Sequence, residues 1–183
     1  MRWFVNGLIG LSTLLYPLAV FFGSRYFEPW KMAVLLIVLL SLKLAASVSR
    51  RHWSTPLLIS GIGYCLFAMW NNQLSTLLFY PLLVNGLMLL IFGWSLISPP
   101  SLIERLARIQ HPDLPPEGVS YTRRVTQVWC VFFIVNGALA AVTAVWGSLE
   151  IWSLYNGLIA YVLMGLLFAG EYLVRIKTQP HVR

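Results

Sequence analysis

The chain has 183 residues, of which 58% are hydrophobic and only 10% are charged, and its mean hydropathy is +0.75. Soluble domains carry roughly a quarter charged residues, so this composition excludes an ordinary soluble domain. The apolar residues form blocks about twenty residues long, enough to cross about 30 Å of hydrocarbon. The net charge of +7 does not indicate nucleic-acid binding, because the basic residues flank the apolar blocks and form no single patch.

These blocks predict an all-α, polytopic membrane protein with one transmembrane domain over residues 1–183 and about six transmembrane helices. The predicted spans cover about residues 4–22, 32–48, 55–71, 76–98, 126–146 and 154–174. The third span is short enough to be re-entrant instead of crossing. A polar loop over residues 99–125 separates spans four and five.

The lysine and arginine residues predict how the spans are oriented. One side of the membrane receives Arg2, Arg50, Arg51, Arg105, Arg108, Arg123, Arg124, Arg175, Lys177 and Arg183. The other side receives only Arg25 and Lys31. Because cytoplasmic loops carry the excess of these residues, both termini and the loop are predicted to be cytoplasmic.

Polar residues inside spans often mark function in membrane proteins. Lys43 lies near the cytoplasmic end of span two, and Glu171 lies near the same end of span six, four residues before Arg175. A pair of Glu171 with Arg175 or Lys43 would be structural, whereas a Glu171 that carries protons would serve transport.

Four Asn-Gly pairs also lie within or beside the spans, at Asn6, Asn85, Asn136 and Asn156. Glycine lets two helix backbones approach closely, and asparagine can bond to a neighbouring helix. Helix packing is therefore the preferred interpretation. The functional alternative is a polar lining for a ligand cavity.

The loop contains a predicted amphipathic helix over residues 101–110. Leu102, Ile103, Leu106 and Ile109 fall on one side of it, and Glu104, Arg105 and Arg108 fall on the other. Ser101 and Glu104 match a capping box, and Glu104 and Arg108 have the spacing of an ion pair. The helix is expected to lie along the cytoplasmic surface, either as a connector on lipid or as a docking surface for a partner or lipid head group.

Arg123 and Arg124 precede span five and are either topology anchors or a grip for phosphate or carboxylate. His111 and Asp113 resemble an acid–base pair, but Pro112 holds the backbone between them extended and no third group is spaced to orient the histidine. A solvated turn is the preferred interpretation there.

Other chemistry-bearing residues are few. Cys65 and Cys130 lie within predicted spans and are interpreted as small apolar fillers. The sequence contains no metal-ligand spacing, phosphate loop or nucleophile motif. It therefore predicts no cofactor, no metal site and no catalytic residue.

The stretch FGWSLISPPSLIERLARIQHPDLPPEGVSYTRRVTQVWCVFFIVNGALAA, continued by WSLYNGLIAYVLMGLLFAGEYLVR, resembles a family of small uncharacterised bacterial inner-membrane proteins. Members occur in gene clusters for aryl polyenes and related fatty-acid-like pigments, and some have carried an implausible DNA gyrase label. More distantly, the order FG, LP, W..FF..NG and a tryptophan-led last span is similar to the intracellular septation protein A family. The resemblance covers about residues 80–176 and implies a bacterial inner-membrane protein that serves assembly, tethering or export of a lipid-like product.

Three functional hypotheses remain. The favoured one is a non-enzymatic accessory or scaffold protein that binds membrane lipids, an acyl carrier protein or cytoplasmic biosynthetic enzymes through Arg105, Arg108, Arg123 and Arg124. The alternative is a lipid or small-molecule transporter or flippase lined by Lys43, Asn85, Asn136, Asn156 and Glu171. A membrane acyl-transfer enzyme built around His111 and Asp113 ranks third. Homo-oligomerisation is left open, and no nucleic-acid partner is expected.

Overall fold

The computed structural model describes residues 31, 34, 38, 59, 61–64, 66, 67, 70 and 74–178. Within these residues the chain is mostly helical and contains no strand. Predicted span one and most of spans two and three lie outside the described residues, as do Lys43, Asn6, Cys65 and the arginines at positions 2, 25, 50, 51 and 183. The described positions of predicted span three are helical.

Six α-helices and one π-helical turn follow one another along residues 74–178. They are α1 (Leu74–Leu78), α2 (Tyr80–Ile97), α3 (Leu102–Gln110), α4 (Pro116–Trp146), α5 (Leu149–Leu154), the π-helical turn Tyr155–Ile159, and α6 (Ala160–Thr178). Three stretches of the described residues are long and apolar enough to cross a membrane: Ser75–Ile97, Pro116–Trp146 and Leu149–Thr178. They correspond to predicted spans four, five and six.

Large apolar side chains are exposed along all three stretches. Trp94 of α2 is 67% exposed, Val131 of α4 is 60% exposed and Leu166 of α6 is 63% exposed. Soluble monomers rarely expose continuous apolar surface of this kind, whereas lipid tails are as apolar as the side chains themselves. The three helices are therefore consistent with a membrane protein.

Predicted span four coincides with a helical stretch, whereas the helix of predicted span five begins earlier than the span was predicted to begin. Helix α2 ends at Ile97, just before the two prolines that were expected to stop it. Helix α4 begins at Pro116, well inside the predicted loop. Proline suits the first helical position because its missing N–H has no partner there in any helix. The helical turns that follow Pro116 are polar, and a hydropathy pattern does not mark polar residues as part of a membrane helix. Hydropathy therefore places the start of this helix too late.

The turn before the last stretch is also shorter than predicted, because only Gly147 and Ser148 separate α4 from α5. The N–H of Gly147 bonds to the carbonyl of Thr143, and a Cβ at Gly147 would lie 2.5 Å from that oxygen. Ser148 then caps α5 by accepting the N–H of Ile151. Glycine thus permits the abrupt reversal, and serine restarts the helix at once.

Helix α3 occupies the predicted range, and the expected pair of Glu104 with Arg108 is confirmed at 2.9 Å. The predicted capping box is wrong. The hydroxyl of Ser101 is buried without a hydrogen-bond partner among the described residues, and the N–H of Leu102 donates instead to the hydroxyl of Ser95 at 2.9 Å. Glu104 is engaged by Arg108, so its carboxylate does not return to the helix start.

The faces of α3 differ from the simple amphipathic expectation. Glu104 is only 7% exposed, whereas Ile109 is 68% exposed. The carboxylate of Glu104 is therefore packed within the protein and not solvated. Part of the apolar face is left outward, as in a helix that lies on lipid.

The chain divides into two compact units, Met1–Pro81 with Ala140–Leu158, and Leu82–Leu139 with Ile159–Arg183. In the first unit, Trp152 is completely buried and its indole N–H donates to the carbonyl of Leu78 at 2.9 Å. In the same unit, the amide of Asn156 donates to the carbonyl of Trp152 at 2.9 Å and to the hydroxyl of Thr143 at 3.3 Å. The candidate site lies entirely within the second unit.

Candidate functional site

A cluster of aromatic rings forms the inner end of the candidate site. Trp129 of α4 is buried, and its ring centroid lies 4.6 Å from that of Phe168 on α6. Phe133 lies 5.7 Å from Trp129 and 5.1 Å from Phe92 of α2. Because tilted and edge-on aromatic pairs are favourable at these separations, the cluster fixes α2, α4 and α6 against one another within this unit.

Tyr121 and Glu171 join α4 to α6 nearer the helix ends. The hydroxyl of Tyr121 lies 3.2 Å from the carboxylate Oε1 of Glu171 and 3.2 Å from its main-chain carbonyl. The guanidinium Nε of Arg175 lies 3.7 Å from the same Oε1, and the guanidinium also stands 5.5 Å from the centre of the Tyr172 ring. The predicted pair of Glu171 with Arg175 is thus present, although the contact is long, and the pair with Lys43 lies outside the described residues.

A cavity of about 230 Å³, here called the first groove, lies between α3, α4 and α6. Trp129, Val125 and Phe168 line it in the apolar parts of α4 and α6, and Leu106 contributes from α3. His111, Tyr121, Glu171 and Arg175 line it nearer the ends of these helices. Its lining is therefore apolar at one end and polar at the other.

A second cavity of about 740 Å³, here called the second groove, lies along the start of α4 and the end of α6. Its lining includes Arg124, Val128 and Leu167. Tyr121 and Glu171 line both grooves. The hydrogen bond between these two side chains therefore stands at the boundary between the grooves.

The structure separates the four arginines that were predicted to bind a partner. Arg105 donates to the carbonyls of Pro100 at 2.7 Å and Ser98 at 3.0 Å, which ties α3 to the end of α2. Arg108 binds Glu104 and donates to the carbonyl of Pro112 at 3.1 Å. These two side chains hold the loop together.

Arg123 and Arg124 differ from that pair. Both are exposed on the first turns of α4, and neither has a hydrogen bond or ion pair to any other residue that the structure describes. Arg124 also lines the second groove. These are the two predicted arginines whose guanidinium groups are presented outward.

The intramembrane asparagines are buried against protein. The amide of Asn136 donates to the side-chain oxygen of Asn85 at 3.0 Å, and a Cβ at the adjacent Gly137 would lie 3.1 Å from the Cβ of Asn85. This is the arrangement that the helix-packing interpretation expects. Neither Asn85 nor Asn136 lines either groove, and Asn156 is held by the contacts of the first unit given above.

The other predicted groups are not assembled into a reactive centre within the described residues. His111 ends α3, its side chain makes no hydrogen bond or ion pair with Asp113, and Asp113 is exposed. Cys130 is a free thiol on α4. No group of three metal-ligating side chains occurs in the part of the chain that the structure describes.

Two features of the site were missed in the sequence. Tyr121 meets Glu171 across fifty positions of the chain, and Trp129 meets Phe168 across thirty-nine. No local motif marks either contact. The one usable signal was helical spacing, since Tyr121, Val125 and Trp129 recur at intervals of four residues and therefore share a face of α4.

Comparison with known proteins supplies no relative for this site. No protein-family model matches the chain, and no curated protein or solved structure matches it significantly. A functional proposal for this protein therefore rests on the fold and on the groups in the two grooves.

Proposed function

We propose that this protein is a non-enzymatic accessory protein of the bacterial inner membrane that docks an acidic soluble partner on the exposed arginines of α4. The observation that carries the proposal is the outward presentation of Arg123 and Arg124, which bind no other described residue. Guanidinium groups bind carboxylates and phosphates in bidentate geometry. Opposite charges on the two surfaces would speed the encounter and select the partner.

The placement of these arginines in the cell follows from the predicted topology. Six spans with both termini in the cytoplasm put the positively charged segments on the cytoplasmic side. Arg123 and Arg124 would then stand just outside the membrane. Arg105 and Arg108 would shape this surface but contribute little to binding, because their guanidinium groups are already used within the chain.

The resemblance to proteins from pigment gene clusters guides the choice of partner. Proteins from clusters for fatty-acid-like pigments would work beside acyl carrier proteins and condensing enzymes. An acyl carrier protein is acidic and would therefore complement a surface that carries two adjacent arginines. In this proposal the membrane protein keeps such enzymes close to a lipid-like product.

The test is photocrosslinking in intact cells from a photoreactive residue at Ser120, which is exposed one turn before the two arginines. We expect crosslinks to a soluble acidic protein that disappear in the double variant Arg123→Glu, Arg124→Glu. They should survive in Arg123→Lys, Arg124→Lys, which keeps the charge. Crosslinks to lipid alone would refute the docking proposal and leave the arginines as membrane anchors.

A second candidate, a lipid or small-molecule transporter, is favoured by one observation. Glu171 lines both grooves and is linked to Tyr121 between them. Among the predicted lining residues that the structure describes, only Glu171 lines a groove, because Asn85, Asn136 and Asn156 line neither. Lys43 lies outside the described residues. It predicts flux in liposomes that Glu171→Gln removes, and flux that is unchanged in this variant would exclude it.

A further inference from the structure

The first groove has features that the docking proposal does not use. It is bounded by three helices, α3, α4 and α6, and by the buried side chain of Leu114, which packs on Gly118. Docking on Arg123 and Arg124 does not involve this groove, since neither residue lines it. The groove has an apolar end and a polar end, and its lining and volume indicate what kind of molecule would fit it.

The groove runs along the helices from polar side chains to apolar ones. On α4 the lining passes from Tyr121 to Trp129, a rise of about 12 Å at about 1.5 Å per residue. On α6 it passes from Arg175 to Phe168, about 10 Å in the same direction. A molecule with a polar head and an apolar chain would match this gradient along its whole length.

The size of the groove limits what part of a ligand it holds. Cavities for drug-sized ligands are about 300–1,000 Å³, and the first groove is about 230 Å³. It therefore suits part of a single hydrocarbon chain, and the rest of a larger molecule would lie outside it. The ligand that already surrounds a membrane helix, a phospholipid, meets this description.

Arg175 at the polar end offers a contact for an anionic head group. The charged side chains that line this end are Arg175 and Glu171, and His111 lies there as well. The side chain of Arg175 is 45% exposed, and its contact with Glu171 is long at 3.7 Å. Its guanidinium group can therefore also bind a phosphate. Basic sites between helix ends are typical places for anionic lipid head groups.

We propose that the first groove binds an anionic phospholipid, with one acyl chain along Trp129 and Phe168 and the phosphate at Arg175. Tyr121 and Glu171 would line the groove beside the part of the acyl chain nearest the phosphate, and Ala107 and Leu106 of α3 would line the opposite side. The bound lipid would fix α3 against α4 and α6. Such binding requires only that the helices lie in a membrane, and it does not depend on partner docking.

The experiment uses the whole protein in nanodiscs that contain a phosphatidylglycerol with a diazirine in its acyl chain. We expect crosslinks on the α4 peptide that carries Val125 and Trp129. Unlabelled phosphatidylglycerol should compete about tenfold better than phosphatidylcholine, as expected for one charge-assisted contact. Equal competition by the two lipids would overturn the proposal.

Matched variants separate the groove from the general lipid surface. Ala107→Phe fills the groove and should abolish the crosslink, whereas Ile109→Phe adds the same bulk to an exposed position on α3 outside it and should leave the crosslink intact. Arg175→Met should remove the preference for phosphatidylglycerol, and Lys177→Met, which does not line the groove, should keep it. Equal effects within either pair would show that the label reports only the surrounding bilayer. If Ala107→Phe does not fold, the Arg175 and Lys177 pair decides the matter alone.

Discussion

The crossing of α2 and α4 gives the sharpest test of the packing. A Cβ at Gly137 would lie 3.1 Å from the Cβ of Asn85, which is closer than carbon atoms prefer. The Cβ of Asn85 is fixed by its own backbone, so no change of rotamer moves it away. Gly137→Ala therefore forces the two helices apart and strains the adjacent bond between Asn136 and Asn85.

Gly93→Ala on α2 is the matched control, because a Cβ there would meet nothing within 4 Å. Both substitutions replace glycine inside a helix and should gain up to about 1 kcal/mol of helix propensity. The difference between them isolates the contact, and overpacking of this kind costs about 1–3 kcal/mol. We expect Gly137→Ala to have a lower free energy of unfolding than Gly93→Ala by about that amount.

The measurement is unfolding of the purified protein in mixed micelles with a rising fraction of dodecyl sulfate, followed by tryptophan fluorescence. The midpoint for Gly137→Ala should fall below that of the unsubstituted protein, and the midpoint for Gly93→Ala should match or exceed it. Equal midpoints for the two variants would mean that α2 and α4 do not approach each other at Gly137.

Two further predictions concern buried hydrogen bonds. Asn85→Ala and Asn136→Ala, made singly and together and measured in the same micelles, should be non-additive by about 0.6 kcal/mol and by no more than about 1.7 kcal/mol; strict additivity would contradict the bond between them. Trp152→Phe should lower the free energy of unfolding by about 1–3 kcal/mol because it leaves the Leu78 carbonyl without its indole donor. Trp146→Phe, at a side chain that is 79% exposed, should change it by less than about 0.5 kcal/mol, and equal costs at the two tryptophans would refute the contact.

The sequence predicts best where a local signal is strong. The end of α2 is marked by an apolar block that meets two prolines, and the range of α3 is marked by its periodicity. The start of α4 was placed too late, since a helix that leaves the apolar layer keeps its hydrogen bonds after its side chains become polar. The hydropathy pattern marks where the chain enters the apolar layer of the membrane, whereas Pro116 marks where the helix begins.

The site depends on contacts that no local pattern carries. Ser101 has the spacing of a cap, but Ser95 from the preceding helix takes that role. The spacing of Glu104 and Arg108 predicts that Arg108 is paired, but Arg105 looks as available in the sequence as Arg123 and Arg124, and only the fold shows that it binds the end of the preceding helix. The meeting of Tyr121 with Glu171 requires the antiparallel packing of α4 and α6, and this packing is set by the distant aromatic contacts.

The central claim is that α4 crosses the membrane and holds the polar segment 99–125 on the cytoplasmic side. It is tested most directly by labelling single cysteines in a protein whose Cys65 and Cys130 have been replaced by serine. Asp113→Cys and Ser148→Cys, which replace exposed residues just beyond the two ends of α4, are treated with a membrane-impermeant maleimide in right-side-out and inverted vesicles. The account predicts labelling of Asp113→Cys in inverted vesicles only and of Ser148→Cys in right-side-out vesicles only. Labelling of both positions from the same side would show that α4 does not cross the membrane.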